Sequence, residues 1–133
     1  MHKKILAAGA IFGALGVAAG AFGAHGLQKL TTDEKIIHGF QTAAQYQLWH
    51  ALAIIAVGII FSGPFPSRLL KWSAGCFMTG ILLFSGSLYA LSFLKINGSG
   101  LSSAVGPVTP IGGVFLIAGW LILAAALLKN KRS

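Results

Sequence analysis

The sequence predicts an all-α fold: a polytopic membrane protein built as a four-transmembrane-helix bundle, one membrane domain over residues 1–133. Three observations predict it. Hydrophobic types make up 56% of the residues and charged types 9%, whereas a soluble domain carries roughly a quarter charged residues. The mean hydropathy is +0.81. The apolar residues fall in four continuous runs, without the alternation that marks a membrane barrel. The same composition excludes intrinsic disorder, and a single cysteine excludes an intramolecular disulfide framework. The net charge of +8 therefore belongs with a lipid bilayer and not with nucleic acid.

A helix crosses the hydrocarbon core with about 20 largely apolar residues. The first span covers about residues 5–24 and carries no charge. Lys3, Lys4 and the small residues Ala19-Gly20-Ala21 also fit a secretory signal peptide, but the length of the run and its patterned glycines favour a retained span. The connection over residues 25–45 is expected to be partly helical. Thr32 suits a cap, and Asp33 and Glu34 suit a first turn. Its mixed polar and apolar tail either lies in the interface or extends the next span outward. The second span covers about residues 46–62. Gly63-Pro64-Phe65-Pro66-Ser67 reads as a tight turn. The third span covers about residues 69–94, with Lys71 near its start, and the Gly- and Ser-rich stretch Lys95–Thr109 is expected to be flexible. The fourth covers about residues 110–128, opened by Thr109 as cap and Pro110 in the first helical position. Asn97-Gly98-Ser99 matches a glycosylation acceptor whose spacing is common by chance.

Basic residues set orientation. With the N-terminus inside, Lys3, Lys4, Arg68, Lys71, Lys129, Lys131 and Arg132 lie on the inner side, against Lys29, Lys35 and Lys95 outside. The imbalance favours cytoplasmic termini.

Gly9, Gly13, Gly16, Gly20 and Gly23 alternate spacings of four and three, which keeps all five on one helix face. Lipid supplies no hydrophobic drive between helices, so such a stripe serves close backbone approach. The expected partner is another span of the same chain. Ser73, Cys76, Gly80 and Ser87 in the third span, and Gly112 and Gly119 in the fourth, also read as packing positions.

Polar groups at membrane depth need a stated reason. His25 closes the first span, Thr42, Tyr46 and His50 share a face of the second, and His38, Gln41 and Gln45 form a stripe beside them. Ser85, Ser87 and Tyr89 lie late in the third span, and Thr109 precedes the fourth. Span directions put all of them in the outer half, with His50 roughly 6 Å below the outer surface. The candidate polar site is therefore His25, Tyr46, His50, Ser85, Tyr89 and Thr109. The competing interpretation is a hydrogen-bonded network that fixes helix register. No metal site is expected, because His25 and His50 lack a third ligand and a nearby carboxylate.

The only side-chain carboxylates are Asp33 and Glu34, in the outer connection. That argues against paired-carboxylate catalysis, acidic proton relays and a Ser–His–acid triad inside the membrane. Cys76, mid-span in apolar surroundings, is expected to be inert. No phosphate loop or dinucleotide fingerprint is present. No enzyme activity and no cofactor are expected.

Gly20-Ala21-Phe22-Gly23-Ala24-His25-Gly26-Leu27, Tyr46-Gln47 with His50-Ala51-Leu52, Ser85-Gly86-Ser87-Leu88-Tyr89, Gly106-Pro107-Val108-Thr109-Pro110-Ile111-Gly112-Gly113 and Ala118-Gly119-Trp120 together resemble one family. It is the group of small membrane proteins called domain of unknown function 423. The resemblance covers essentially the whole chain. It implies a four-span inner-membrane protein without assigned activity, and it supplies no catalytic residues. Two functions are expected to compete: a non-catalytic packing or interaction module, joined to itself as a homo-oligomer or to a membrane-protein partner, and an oligomeric channel or transporter for a small solute.

Overall fold

The computed structural model describes residues 2–129; Lys131 and Arg132, counted above for orientation, lie outside them. Four helices are long and apolar enough to cross a membrane: α1 over Lys3–Lys29, α2 over Glu34–Ile60, α3 over Ser67–Ile96 and α4 over Ser102–Leu128. At 1.5 Å per residue each is roughly 40 Å long or more, beyond the ~30 Å hydrocarbon core. No strand occurs among the described residues.

Two helices change winding part-way. In α1 an α-helix over Lys3–Ala21 passes into a π turn over Phe22–Gly26 and a 3-10 turn over Leu27–Lys29. In α3 a π turn over Ile81–Ser85 separates Ser67–Gly80 from Gly86–Ile96. A π turn holds one extra residue, so it changes the face that later residues present. In α1 the amide of Gln28 donates to the Gly23 carbonyl at 2.9 Å, which satisfies a group in the altered turn.

The second helix begins at Glu34 and not near Tyr46, so the outward extension is the form adopted. Asp33, not Thr32, is the cap. Its carboxylate accepts from the Lys35 N–H at 2.9 Å, and the Thr31 hydroxyl accepts from the Asp33 N–H at 3.1 Å. The reason for the extension is amphipathicity. Ile36, Phe40, Ala43 and Ala44 turn inward and are buried, while Glu34, His38, Gln41 and Gln45 remain exposed.

The stretch expected to be flexible contains defined turns and a short helix. The α3 helix ends through Gly98, the one described residue with positive φ (67°), a conformation that favours glycine. The Ser99 N–H then reaches back to the Leu94 carbonyl at 2.8 Å. A short helical turn, Ser102–Val105, follows before the main run Val108–Leu128. Pro107 occupies the cap position, where no side chain bonds the helix end. Thr109 therefore lies inside the helix and does not cap it. Pro110 falls in the first turn, whose N–H groups have no intrahelical acceptor anyway.

The helices form two antiparallel hairpins, α1 on α2 and α3 on α4, joined through α2 and α3. Glycines set both contacts. A Cβ on Gly9 would stand 2.6 Å from Ile55 Cγ1 and 3.0 Å from the Ala51 carbonyl oxygen. One on Gly16 would meet Leu48 at 3.0 Å, one on Gly23 would meet Phe40 at 3.0 Å, and one on Gly58 would meet Leu6 at 2.8 Å. Gly13 is looser, with Ala51 at 4.0 Å, and Gly20 has nothing within 4 Å. In the second hairpin Gly80 lies under Leu116, Gly112 under the Phe84 backbone and Gly119 under the Phe77 ring. The core between the hairpins gathers Ile54, Val57, Leu70, Phe77, Ile81 and Leu116. Large apolar side chains such as Leu15, Leu52, Leu82 and Val114 are exposed, as expected where the surrounding solvent is lipid.

Candidate functional site

The buried face of α2 carries Ala43, Gln47, His50, Ile54 and Val57, at the alternating four and three spacing of a packed helix seam. Two of these are polar, and both bond to neighbouring helices. The Gln47 amide nitrogen donates to the Phe12 carbonyl of α1 at 2.9 Å, and its oxygen accepts from the Tyr89 hydroxyl of α3 at 2.7 Å. One side chain thus ties three helices.

His50 is 6% exposed, and each of its ring nitrogens has a partner. Trp120 Nε1 lies 3.0 Å from His50 Nε2. An indole N–H can only donate, so Nε2 accepts. The ring proton then resides on Nδ1 and is donated to the Tyr46 carbonyl at 2.7 Å. This fixes the tautomer by partner chemistry. The rings of Phe77 and Tyr46 flank the imidazole, with centroids at 5.6 Å and 6.0 Å.

Serines complete the pattern. Ser85 donates to the Ala43 carbonyl of α2 at 2.7 Å, and Ser73 donates to the Gly119 carbonyl of α4 at 2.9 Å. The Ser87 and Thr109 hydroxyls bond each other, joining α3 to α4. No buried side-chain nitrogen or oxygen among the described residues lacks a hydrogen-bond partner.

The six residues nominated from sequence do not form one hydrogen-bonded cluster. Ser85 bonds α2, and Thr109 bonds Ser87. Tyr89 bonds Gln47, and His50 bonds Trp120. Tyr46 contributes its carbonyl to His50 and its ring to Trp49 and Phe84. His25 is exposed and bonds none of the other five. With α2 starting at Glu34, His50 stands roughly 24 Å along the helix from that end and 15 Å from Ile60. Ser73, near the start of α3, takes the polar contacts toward the opposite end.

Gln47, Trp120 and Ser73 belong to this ladder although they were not nominated for the site. The signal for Gln47 was present: it shares the seam spacing with Ala43, His50 and Ile54. Trp120 carried no such signal: the residue is 47% exposed, and a tryptophan in a membrane protein reads equally well as an interfacial residue. Beside the Gln47–Tyr89 pair a groove of about 200 Å³ opens between Leu15 and Leu82. No group of three His, Cys, Asp or Glu side chains that could hold a metal occurs among the described residues.

Comparison with known proteins follows the same chain length. A family model described as a protein of unknown function, DUF423, matches residues 19–113. A UPF0382 membrane protein of Staphylococcus epidermidis is 39% identical over 127 residues, 96% of this chain and 97% of that protein. The UPF0382 membrane protein YwdK of Bacillus subtilis is 36% identical over 127 residues, 96% of this chain and 98% of its own. The UPF0382 membrane protein C1782.12c of Schizosaccharomyces pombe is 39% identical over 111 residues, 84% of this chain and 90% of that protein. No solved structure matches the chain.

Proposed function

The chain belongs to the DUF423 family of membrane proteins, and from that premise we propose that it serves as a non-catalytic packing and interaction module of the bacterial plasma membrane, spanning it four times with both termini in the cytoplasm. The observation that carries the reading is Gln47. Its side-chain nitrogen donates to α1 and its oxygen accepts from α3. A group so engaged positions helices. Turning it toward a solute would give up these two bonds in a medium that offers no replacement.

His50 supports the same reading, because both ring nitrogens are taken and neither is free as a base, a ligand or a stepping stone for protons. An oligomeric channel is the rival. It needs polar groups free to face a path, and four of the nominated residues, His50, Ser85, Tyr89 and Thr109, are bonded to neighbouring helices.

Flux measured in liposomes with purified protein tests the proposal. We expect no passage of ions or small polar solutes above empty vesicles. A flux that disappears in His50→Ala would overturn it. A reporter enzyme fused to the C-terminus is expected to be active in the cytoplasm, and periplasmic activity would reverse the orientation.

A further inference from the structure

The exposed face of α2 has a composition that lipid alone cannot serve. Glu34, His38, Gln41, Gln45, Trp49, Leu52, Ala56 and Ile59 are all exposed, and successive members fall on one side of the helix. His38, Gln45, Leu52 and Ile59 recur at heptad intervals, with Gln41, Trp49 and Ala56 between them. That is the spacing of a seam between two helices. In α2 this seam faces away from the bundle.

Gln45 is the telling position. It stands roughly 16 Å from the start of α2. The contacts of Gly16 with Leu48 and of Gly23 with Phe40 set it level with the uncharged α1 stretch between those two glycines. Its amide is at hydrocarbon depth, exposed, and bonded to no other described residue. An unsatisfied amide costs several kcal/mol in hydrocarbon. Acyl chains cannot relieve that, and a neighbouring helix backbone offers spare carbonyl acceptors but no spare N–H for the amide oxygen.

We propose that a second copy of this chain covers the face, through a two-fold axis normal to the membrane that sets α2 against α2. Copies inserted with the same topology then present parallel helices, and each seam residue meets its twin. Carboxamides suit this because each holds a donor and an acceptor. Gln45 of one copy can exchange two hydrogen bonds with Gln45 of the other, and Gln41 can do the same one turn higher. Below them Trp49, Leu52 and Ile59 supply apolar contact. At the water end a recess of about 550 Å³ beside Glu34, Lys35, Ile37, His38 and Gln41 leaves room for side chains of the second copy. There Glu34 and the adjacent Lys35 give each copy one charge of either sign. A polar pair within an apolar seam fixes register and copy number.

The proposal deepens the reading as an interaction module by naming the partner. Its test is cross-linking in native membranes. In a Cys76→Ser background, Gln45→Cys and Leu52→Cys should each yield a species of twice the monomer mass under oxidation. Leu15→Cys, exposed on the lipid face of α1, should yield at least tenfold less. Equal cross-linking at Leu15, or none at Gln45 and Leu52, overturns the interface. Association by single-molecule fluorescence in bilayers should weaken about tenfold in Gln45→Leu, the effect of two interhelical hydrogen bonds. Unchanged association overturns the amide pairing. The Gln45 side chain bonds no described residue of its own copy, so resistance of the monomer to unfolding should not change. A dimer that passes solutes keeps this interface and defeats the module reading, and a non-conducting monomer does the reverse.

Discussion

Gly112→Ala is the substitution whose cost follows most directly from the geometry. The added methyl would stand 2.7 Å from the Leu83 carbonyl carbon and the Phe84 Cα. Ordinary contact begins near 3.4 Å, and both obstacles are backbone, which cannot rotate away as a leucine tip can. The α3–α4 hairpin must open by about 0.7 Å or more. A gap of that size forfeits a quarter to a half of each dispersion contact it crosses. The contacts at stake include Gly80 with Leu116 and Gly119 with Phe77, one and two turns away along the same seam. Overpacking of this kind costs about 1–3 kcal/mol. Equilibrium unfolding in mixed micles of increasing SDS content would measure it. The matched control is Gly20→Ala, where nothing lies within 4 Å and the better helix former should be neutral or stabilising by up to about 1 kcal/mol. The two variants differ by the same single methyl and are expected to shift stability in opposite directions. Equal unfolding midpoints for the two would refute the claim that close approach at Gly112 holds the hairpin.

Three further outcomes follow. Gln47→Leu should destabilise by about 1–3 kcal/mol, since two interhelical bonds at up to ~1.7 kcal/mol each are lost, and Tyr89→Phe by less. In the double variant the effects should fall short of their sum, and strict additivity in the same SDS titration would show that the Gln47–Tyr89 bond is not formed. Trp120→Phe keeps a ring against Phe77 but removes the donor to His50. It should cost about 1 kcal/mol and change the His50 nitrogen signals in isotope-edited NMR, and an unchanged spectrum would count against the pairing. Ser73→Ala should cost about 0.6 kcal/mol, while Ser103→Ala, whose exposed hydroxyl bonds only within its own turn at 3.0 Å, should cost nothing measurable.

The number and nature of the helices were legible from apolar runs, because the bilayer sets one length scale and the chain meets it four times. Their ends were less so. The Glu34–Gln45 stretch is polar on one face, and a hydropathy reading ends the span where polarity begins. What extends the helix is burial of Ile36 and Phe40 on the other face, a tertiary effect. Pro107, Thr109 and Pro110 show the same limit at α4: cap chemistry allowed Thr109, but its hydroxyl bonds Ser87 across the interface instead. The glycine stripe was readable from spacing. Gly20 fits the stripe by number, yet a Cβ there would meet nothing within 4 Å. For the polar residues, depth could be estimated but pairing could not. Which atom of α1 receives the Gln47 amide depends on the hairpin register, and single-chain periodicity carries no information about register.

Glycines and polar side chains divide the work of holding such a bundle. Dispersion between close backbones is strong but nearly indifferent to sliding, since one ridge of small residues resembles the next. A hydrogen bond between Gln47 and Tyr89, or between Ser73 and the Gly119 carbonyl, survives a shift of only a fraction of an ångström. The polar contacts therefore choose one register among those that the glycines allow. They can do so at modest energy, because the alternatives leave amides, an imidazole and hydroxyls unpaired in hydrocarbon. Inside the bundle that logic covers α1 with α2, α3 with α4, α2 with α3 and α2 with α4, each of which has a glycine approach, a polar bond or both. It does not reach the outer face of α2, and Gln45 is where the same chemistry calls for another helix.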